Sequence, residues 1–166
     1  IQDLNENLEA ISGQIDAGKA LQAAALIGKG VLVPGDHVVV GDANEDGSVP
    51  TTPFGVELAG PADEVTVTIT NKSGEVVRQY TAEDVGDLDA GVHSFAWDGM
   101  VGNGETPAPK GSYTVTIEAS MAGEPVAVTK LTYAQVFGVT TSDSGPLLDL
   151  GGLQDQARLE DVRQIL

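Results

Sequence analysis

"FAWDGMVGNGETPAPKGSYTV", residues 95–115, places the only Trp of the chain directly before a loop crowded with Gly and Pro. Whether that loop cradles a ligand or merely turns the chain decides how the whole sequence reads. Trp97 shares strand parity with Phe95 and His93, so its ring is expected to face a protein interior. A buried Trp covers ~150–250 Å² and can anchor a core that is otherwise aliphatic. Asp98-Gly99 has the chemistry of a turn: the Asp side chain accepts from nearby backbone N–H groups and Gly takes positive φ. Gly102, Asn103 and Gly104 continue it, and Pro107 and Pro109 stiffen the return to Gly111 and Tyr113. A nucleotide cradle would need Gly-x-Gly-x-x-Gly opening a helix, or a Gly-Lys-Ser/Thr ending. Here position 107 is Pro and a strand follows, so the loop reads as scaffold.

Outward from this loop, strand signals recur at the spacing of a β-sandwich. "EVTVTIT" alternates, with Val65, Val67 and Ile69 on one face. "NKSG" turns it into "EVVRQYTA", and "HSFAWDG" follows. After the loop, "SYTVTIEAS" puts Tyr113, Val115 and Ile117 on one face, and "MAGEP" makes a hairpin into "VAVTKLTY". This sandwich is assigned to residues 49–132. Before it, "GVLV" and "HVVVG" are short β-branched runs separated by Pro34-Gly35. The loop "GDANEDGSVPTTP" then breaks the pattern as a domain boundary. After it, "QVFGV", "PLLDLGG" and "ARLEDVRQIL" are strand-like pieces too few for a core of their own. They are expected to pair with strands near residues 30–41, so that residues 28–48 and 133–166 form a discontinuous outer unit.

Residues 1–27 read as an amphipathic helix. Ile1, Leu4, Leu8, Ile11 and Ile15 alternate in spacings of three and four, a narrow apolar seam. Gly13 and Gly18 weaken it, and Gly28 with Lys29 marks its stop. The seam has three readings: packing on its own barrel, a by-product of where the sequence begins, or self-association. Self-association is preferred.

The bulk numbers bound the function. The chain is 41% hydrophobic but only 4% aromatic, so aliphatic residues do most of the packing. With 25 acidic against 8 basic residues the formal charge is -17. No nucleic acid partner is expected, because binding phosphates takes Lys and Arg. An anionic membrane surface is disfavoured for the same reason, and no membrane insertion is expected. There are no cysteines, hence no disulfides and no thiolate chemistry. The acids near Ile1 and the lack of a basic n-region argue against a signal peptide, and the start at Ile suggests a fragment or processed product.

Catalytic and metal readings fare poorly. "DANEDG" sets Asp42, Asn44, Asp46 and Gly47 at the first, third, fifth and sixth positions of a calcium loop, but the twelfth, which must be a bidentate acid, is Pro53. His37 and His93 fall on separate strands. His37 follows Asp36, but neighbouring strand residues face opposite ways, so that pair is not expected to act as a dyad. No Gly-x-Ser-x-Gly elbow exists, and a zinc site lacks a third ligand. No catalytic residue, metal or cofactor is expected, and the chain is not expected to be an enzyme.

"FAWDGMVGNGETPAPKGSYTV" resembles the Trp-Asp-Gly, Gly, Pro, Gly-x-Tyr pattern of the Ig-like module in flagellar hook-capping proteins, also called basal-body rod modification proteins. Phe95, Trp97, Asp98, Gly99, Gly111 and Tyr113 carry that signature. "LNENLEAI", "LIGKGVLVPG", "VFGVTTSDSGPLLDLGG" and "LEDVRQIL" resemble the same family in its order. The resemblance implies a mainly β fold: an Ig/fibronectin III-like sandwich inserted into a small Tudor-like β-barrel, here preceded by the amphipathic helix. It implies a folded core without the family's N-terminal region. It also implies a structural assembly role at the distal end of the flagellar rod and hook, with hook subunits and copies of itself as partners, and export without a cleaved signal. The alternative is an Ig-like adhesin or accessory module of a bacterial surface protein that shares only the Trp-Asp-Gly signature.

Overall fold

The period-two runs of the sequence become strands, and their apolar positions become two cores. The computed structural model describes residues 18–102, 104–143, 145–151 and 156–166. Helix α1 covers residues 18–25. Strands follow as β1 (Gly30–Pro34), β2 (His37–Val40), β3 (Phe54–Leu58), β4 (Glu64–Thr70) and β5 (Val76–Tyr80). After the single-turn helix α2 (Ala82–Val85) come β6 (Gly91–Phe95), the short strands β7 (Met100–Val101) and β8 (Thr106–Pro107), β9 (Gly111–Met121) and β10 (Glu124–Pro125). Strands β11 (Val128–Gln135), β12 (Gly138–Ser142), β13 (Gly145–Asp149), β14 (Ala157–Arg158) and β15 (Gln164–Ile165) complete the chain. The chain divides into two compact units: Pro34–Tyr133, and an outer unit made of the chain up to Val33 and from Ala134.

The unit Pro34–Tyr133 is a sandwich. In one sheet β3 pairs antiparallel with β6 and with β11; in the other β4 lies between β5 and β9. The alternation of "EVTVTIT" is realised as buried Val65, Val67 and Ile69. Tyr113, Val115 and Ile117 of β9 join them in one cluster with Phe54, Val56 and Leu58 of β3. Facing side chains at every second position on two sheets are what a sandwich core requires. The "NKSG" turn forms as read, with Asn71 Oδ1 accepting from the N–H groups of Ser73 and Glu75.

Three features differ from the sequence reading. Strand β2, expected in the outer unit, pairs with the start of β9 (His37↔Thr114 to Val40↔Gly111) inside the unit Pro34–Tyr133. Thr132, in β11, fixes the same strand by donating from Oγ1 to the His37 carbonyl at 2.6 Å. The "MAGEP" hairpin pairs only β10, its own Glu124 and Pro125, with β9; β11 then joins β3 in the other sheet. Helix α2, unread in the sequence, starts at Thr81, whose N–H donates to the Asp84 carboxylate at 2.9 Å.

In the outer unit, short strands surround one apolar cluster of Ala23, Leu26, Val31, Val33, Ala134, Val136, Leu148, Leu150 and Ala157. Strand β1 pairs with β15 (Val31↔Ile165, Leu32↔Gln164), and β13 pairs with β12 and β14. The expected pairing of C-terminal pieces with the strand near residue 30 is therefore present for β15. Helix α1 turns its Ala23 into the cluster, and the turn after it adds Leu26 and closes at Gly28, whose φ of +85° suits glycine and whose N–H donates to the Val136 carbonyl at 2.7 Å.

Candidate functional site

The Gly/Pro loop is built as a brace. Trp97 is 2% exposed and follows the end of β6. Its Nε1 donates to the Met100 carbonyl at 3.0 Å, and its own carbonyl accepts from Thr51 Oγ1 at 2.5 Å. The Asp98 carboxylate accepts from the Met100 N–H at 2.9 Å, the side-chain turn its sequence predicts. Gly99 has φ +76°, and a Cβ there would stand 2.8 Å from the Val49 Cβ, so both conformation and space demand glycine.

The return limb closes on the same ring. Tyr113 meets Trp97 edge to face, ring centroids 5.2 Å apart, and donates its hydroxyl to the Pro109 carbonyl at 2.6 Å. Burial pushes the Tyr113 hydroxyl above its ordinary pKa, because the phenolate would lose its hydration. Phe95 stacks on Phe54 at 5.6 Å, and Gly111 opens β9 opposite Val40. Every signature residue thus turns, spaces or packs the chain.

The acidic loop spends its polar groups on itself. Asp46 Oδ1 accepts from the Ser48 hydroxyl at 2.6 Å and the Ser48 N–H at 2.9 Å, which holds its carboxyl below the usual range. Asp42 pairs with Lys110 at 2.9 Å. Among the described residues, no group of three or more His, Asp or Glu side chains gathers as a metal would need. His93 Nε2 lies 2.7 Å from the Asp89 carbonyl. His37 does approach Asp36, with Nε2 3.5 Å from Oδ1, contrary to the sequence reading. Asp36 precedes β2 rather than lying in it, so strand alternation does not separate the two. Both are well exposed and Asp36 also has Lys130 at 3.9 Å, which makes a surface ion group rather than a catalytic dyad.

What the molecule offers is surface. In the outer unit an apolar groove of about 470 Å³ is lined by Gln22, Ala25, Leu26 and Lys29 on one side and by Leu159, Val162 and Ile165 on the other. The strand-like stretch "ARLEDVRQIL" forms β14, a 3-10 turn at Leu159–Asp161 and β15. The three-residue spacing of half-buried Leu159 and Val162 and exposed Ile165 was the available signal for one apolar face. Ile1, Leu4, Leu8, Ile11 and Ile15, the seam residues, lie outside the described residues.

Comparison with known proteins bears on the whole of this arrangement. Residues 41–123 match the FlgD Ig-like domain. The basal-body rod modification protein FlgD of Escherichia coli strain K12 is 51% identical over 167 residues, covering 100% of this chain and 70% of its own length. That of Salmonella typhimurium is 50% identical over the same span. Among solved structures, FlgD from Xanthomonas campestris, described for its insights into the hook capping essential for flagellar assembly, is 32% identical with a TM-score of 0.62, covering 89% of this chain and 99% of that one. FlgD from P. aeruginosa is 26% identical with a TM-score of 0.59, covering 84% and 97%. With the Ig-like match lying within the sandwich unit and its full length aligned to these relatives, this chain belongs to the FlgD family of basal-body rod modification proteins.

Proposed function

We propose that this chain is the folded part of a hook-cap scaffold, which sits at the distal end of the growing flagellar rod and hook and promotes polymerisation of hook subunits beneath it. The observation that carries this reading is 51% identity with the E. coli rod modification protein across the entire chain. That span takes in the outer segments "LLDLGG" and "LEDVRQIL", which an isolated adhesin module has no need of. The role asks for no chemistry: braced loops and exposed surfaces suit a scaffold that works by contact, and the protein is proposed not to be an enzyme. Its partners are hook subunits and other copies of itself, and it leaves the cytoplasm by flagellar export without a cleaved signal.

Deleting the gene should leave rods without hooks, with hook subunits exported to the medium but not polymerised. Electron microscopy of basal bodies and immunoblots of the medium read this directly. Normal hooks in the deletion strain would overturn the assembly role.

A further inference from the structure

The outer unit carries more exposed apolar surface than the sandwich, which exposes Val39, Val76 and Met121. Among the described residues, Leu21, Ile27, Phe137, Ile165 and Leu166 are exposed large apolar side chains of this unit. Lys19, Lys29, Arg158 and Arg163, half of the chain's eight basic residues, belong to it as well. Apolar surface with locally relieved negative charge is what an interface on a strongly acidic protein needs. The groove between α1 and the C-terminal turn is lined by aliphatic side chains, with Gln22 and Lys29 as its polar members. A small-molecule site would place convergent polar groups to fix its ligand. This lining fits apolar side chains of a polypeptide.

The chain contains a matching polypeptide. Residues 1–17 present Ile1, Leu4, Leu8, Ile11 and Ile15 at helical spacing, and hold Asp3, Glu6, Glu9 and Asp16 with no Lys or Arg. An aliphatic stripe on an acidic segment complements an aliphatic groove beside Lys29 and Arg163, in the part of the chain where basic and acidic residues come closest to balance. On a heptad reading these acids fall away from the stripe, while Asn5, Asn7, Ser12 and Gln14 flank it. The charges therefore steer the encounter and the uncharged flanks form the rim. The rest of the protein, at a net charge of -17 overall, repels such a segment. For a segment to reach the groove of its own copy, the chain would have to reverse just ahead of α1, at the short end of helix–helix connections. A second copy can offer the whole stripe.

We propose that the groove lined by Ala25, Leu26, Val162 and Ile165 receives the Ile1–Ile15 stripe of a second copy. This deepens the scaffold reading and rests on its claim that copies associate. It turns association into a directional contact, a stripe on one copy held by a groove on the next, the kind of heterologous interface that builds rings or open assemblies.

The absence of cysteine makes the test clean. Two differently tagged full chains, one Leu8→Cys and the other Ile165→Cys, are mixed under mild oxidation. A disulfide joining the two tags is expected; bridging only when both cysteines sit on one chain, or none at all, overturns the proposal. Sedimentation equilibrium then compares Ile165→Glu with Leu8→Glu. Each should weaken association about 30-fold or more, the loss expected when a central contact is removed, with little further loss in the double variant. Ile165 is 54% exposed, so the fold should tolerate the change. Lys29→Glu, outside any strand, repeats the test if the β1–β15 pairing suffers. Association lost in Leu8→Glu but intact in both groove variants sinks the groove and spares self-association. A wild-type chain that stays monomeric at every concentration sinks both, while the hook defect of a deletion strain would still stand.

Discussion

Replacing Trp97 by Ala removes the largest fully buried side chain of the protein from between its loop and its core. The ring buries ~150–250 Å². At ~25 cal/mol per Å² this is worth ~4–6 kcal/mol, an upper figure because denatured chains already hide ~10–40% of such area. The result, ~3–5 kcal/mol, agrees with the general cost of Trp→Ala in cores. The edge-to-face contact with Tyr113 and the bond to the Met100 carbonyl are part of that loss, since all three depend on one ring. Trp97→Phe separates them: it keeps a ring against Tyr113 but drops the Nε1 donor, and should cost ~1–2 kcal/mol. Urea unfolding followed by circular dichroism measures both, and the shift belongs to the transition of the unit Pro34–Tyr133. If Trp97→Ala lost less than ~1 kcal/mol, the usual range of a surface change, the brace would not exist and the loop would again be open to a ligand reading.

Four other outcomes follow from the same geometry. Calcium at micromolar levels should leave the thermal midpoint unchanged; a saturating rise that vanishes in Asp42→Ala with Asp46→Ala would show a site in the acidic loop. Because the native state holds the Tyr113 proton more tightly than the unfolded state, stability should fall as pH rises through the unfolded tyrosine pKa towards the native one. A spectrophotometric titration should find a tyrosine that titrates late and is absent in Tyr113→Phe. Residues 34–133 expressed alone should fold, because the Gly35 N–H donates to the Lys130 carbonyl at 3.0 Å and holds entry and exit together; a molten product in circular dichroism and proteolysis would refute the boundary. Self-association should tighten from low to physiological salt as repulsion between copies at -17 each is screened over ~8 Å, and a monotonic weakening in sedimentation would contradict this.

Period two encodes which side chains face inward, and Val65, Val67, Ile69, Tyr113, Val115 and Ile117 do. It could not tell which strand a run pairs with. "GVLV" and "HVVVG" look alike as β-branched runs, yet β1 pairs with β15 and β2 with β9. Partner choice depends on long-range contacts that no local pattern encodes. The switch of sheet after β10 was similarly hidden, although Pro125 marks it, since proline is suited to a strand edge. The Thr81–Asp84 cap was visible as Thr-x-x-Asp, but a one-turn helix leaves no apolar period to confirm it. The brace around Trp97 was legible because Asp-Gly, Pro and an alternating strand each have one ordinary use. The groove was not, because it needs α1 and the C-terminal turn to be brought together, and nothing in either segment announces the other.

The division of chemistry along the chain bears on how the proposed scaffold would act. Four basic residues, Lys72, Arg78, Lys110 and Lys130, serve the whole unit Pro34–Tyr133, and Lys110 and Lys130 are within ion-pair reach of Asp42 and Asp36. That unit is acidic and suited to staying apart from its own copies. The outer unit holds the other four basic residues and most of the exposed large apolar side chains among those described. Association driven there, with repulsion spread over the sandwich, would give contacts strong enough to form and weak enough to release. The proposed cap, if subunits add beneath it, would need that balance more than affinity. On this reading Ile165→Glu and Lys29→Glu impair assembly by abolishing contact. A charge-reversing change on the sandwich, such as Glu64→Lys with Glu118→Lys, should impair it by the opposite route, tightening association between copies.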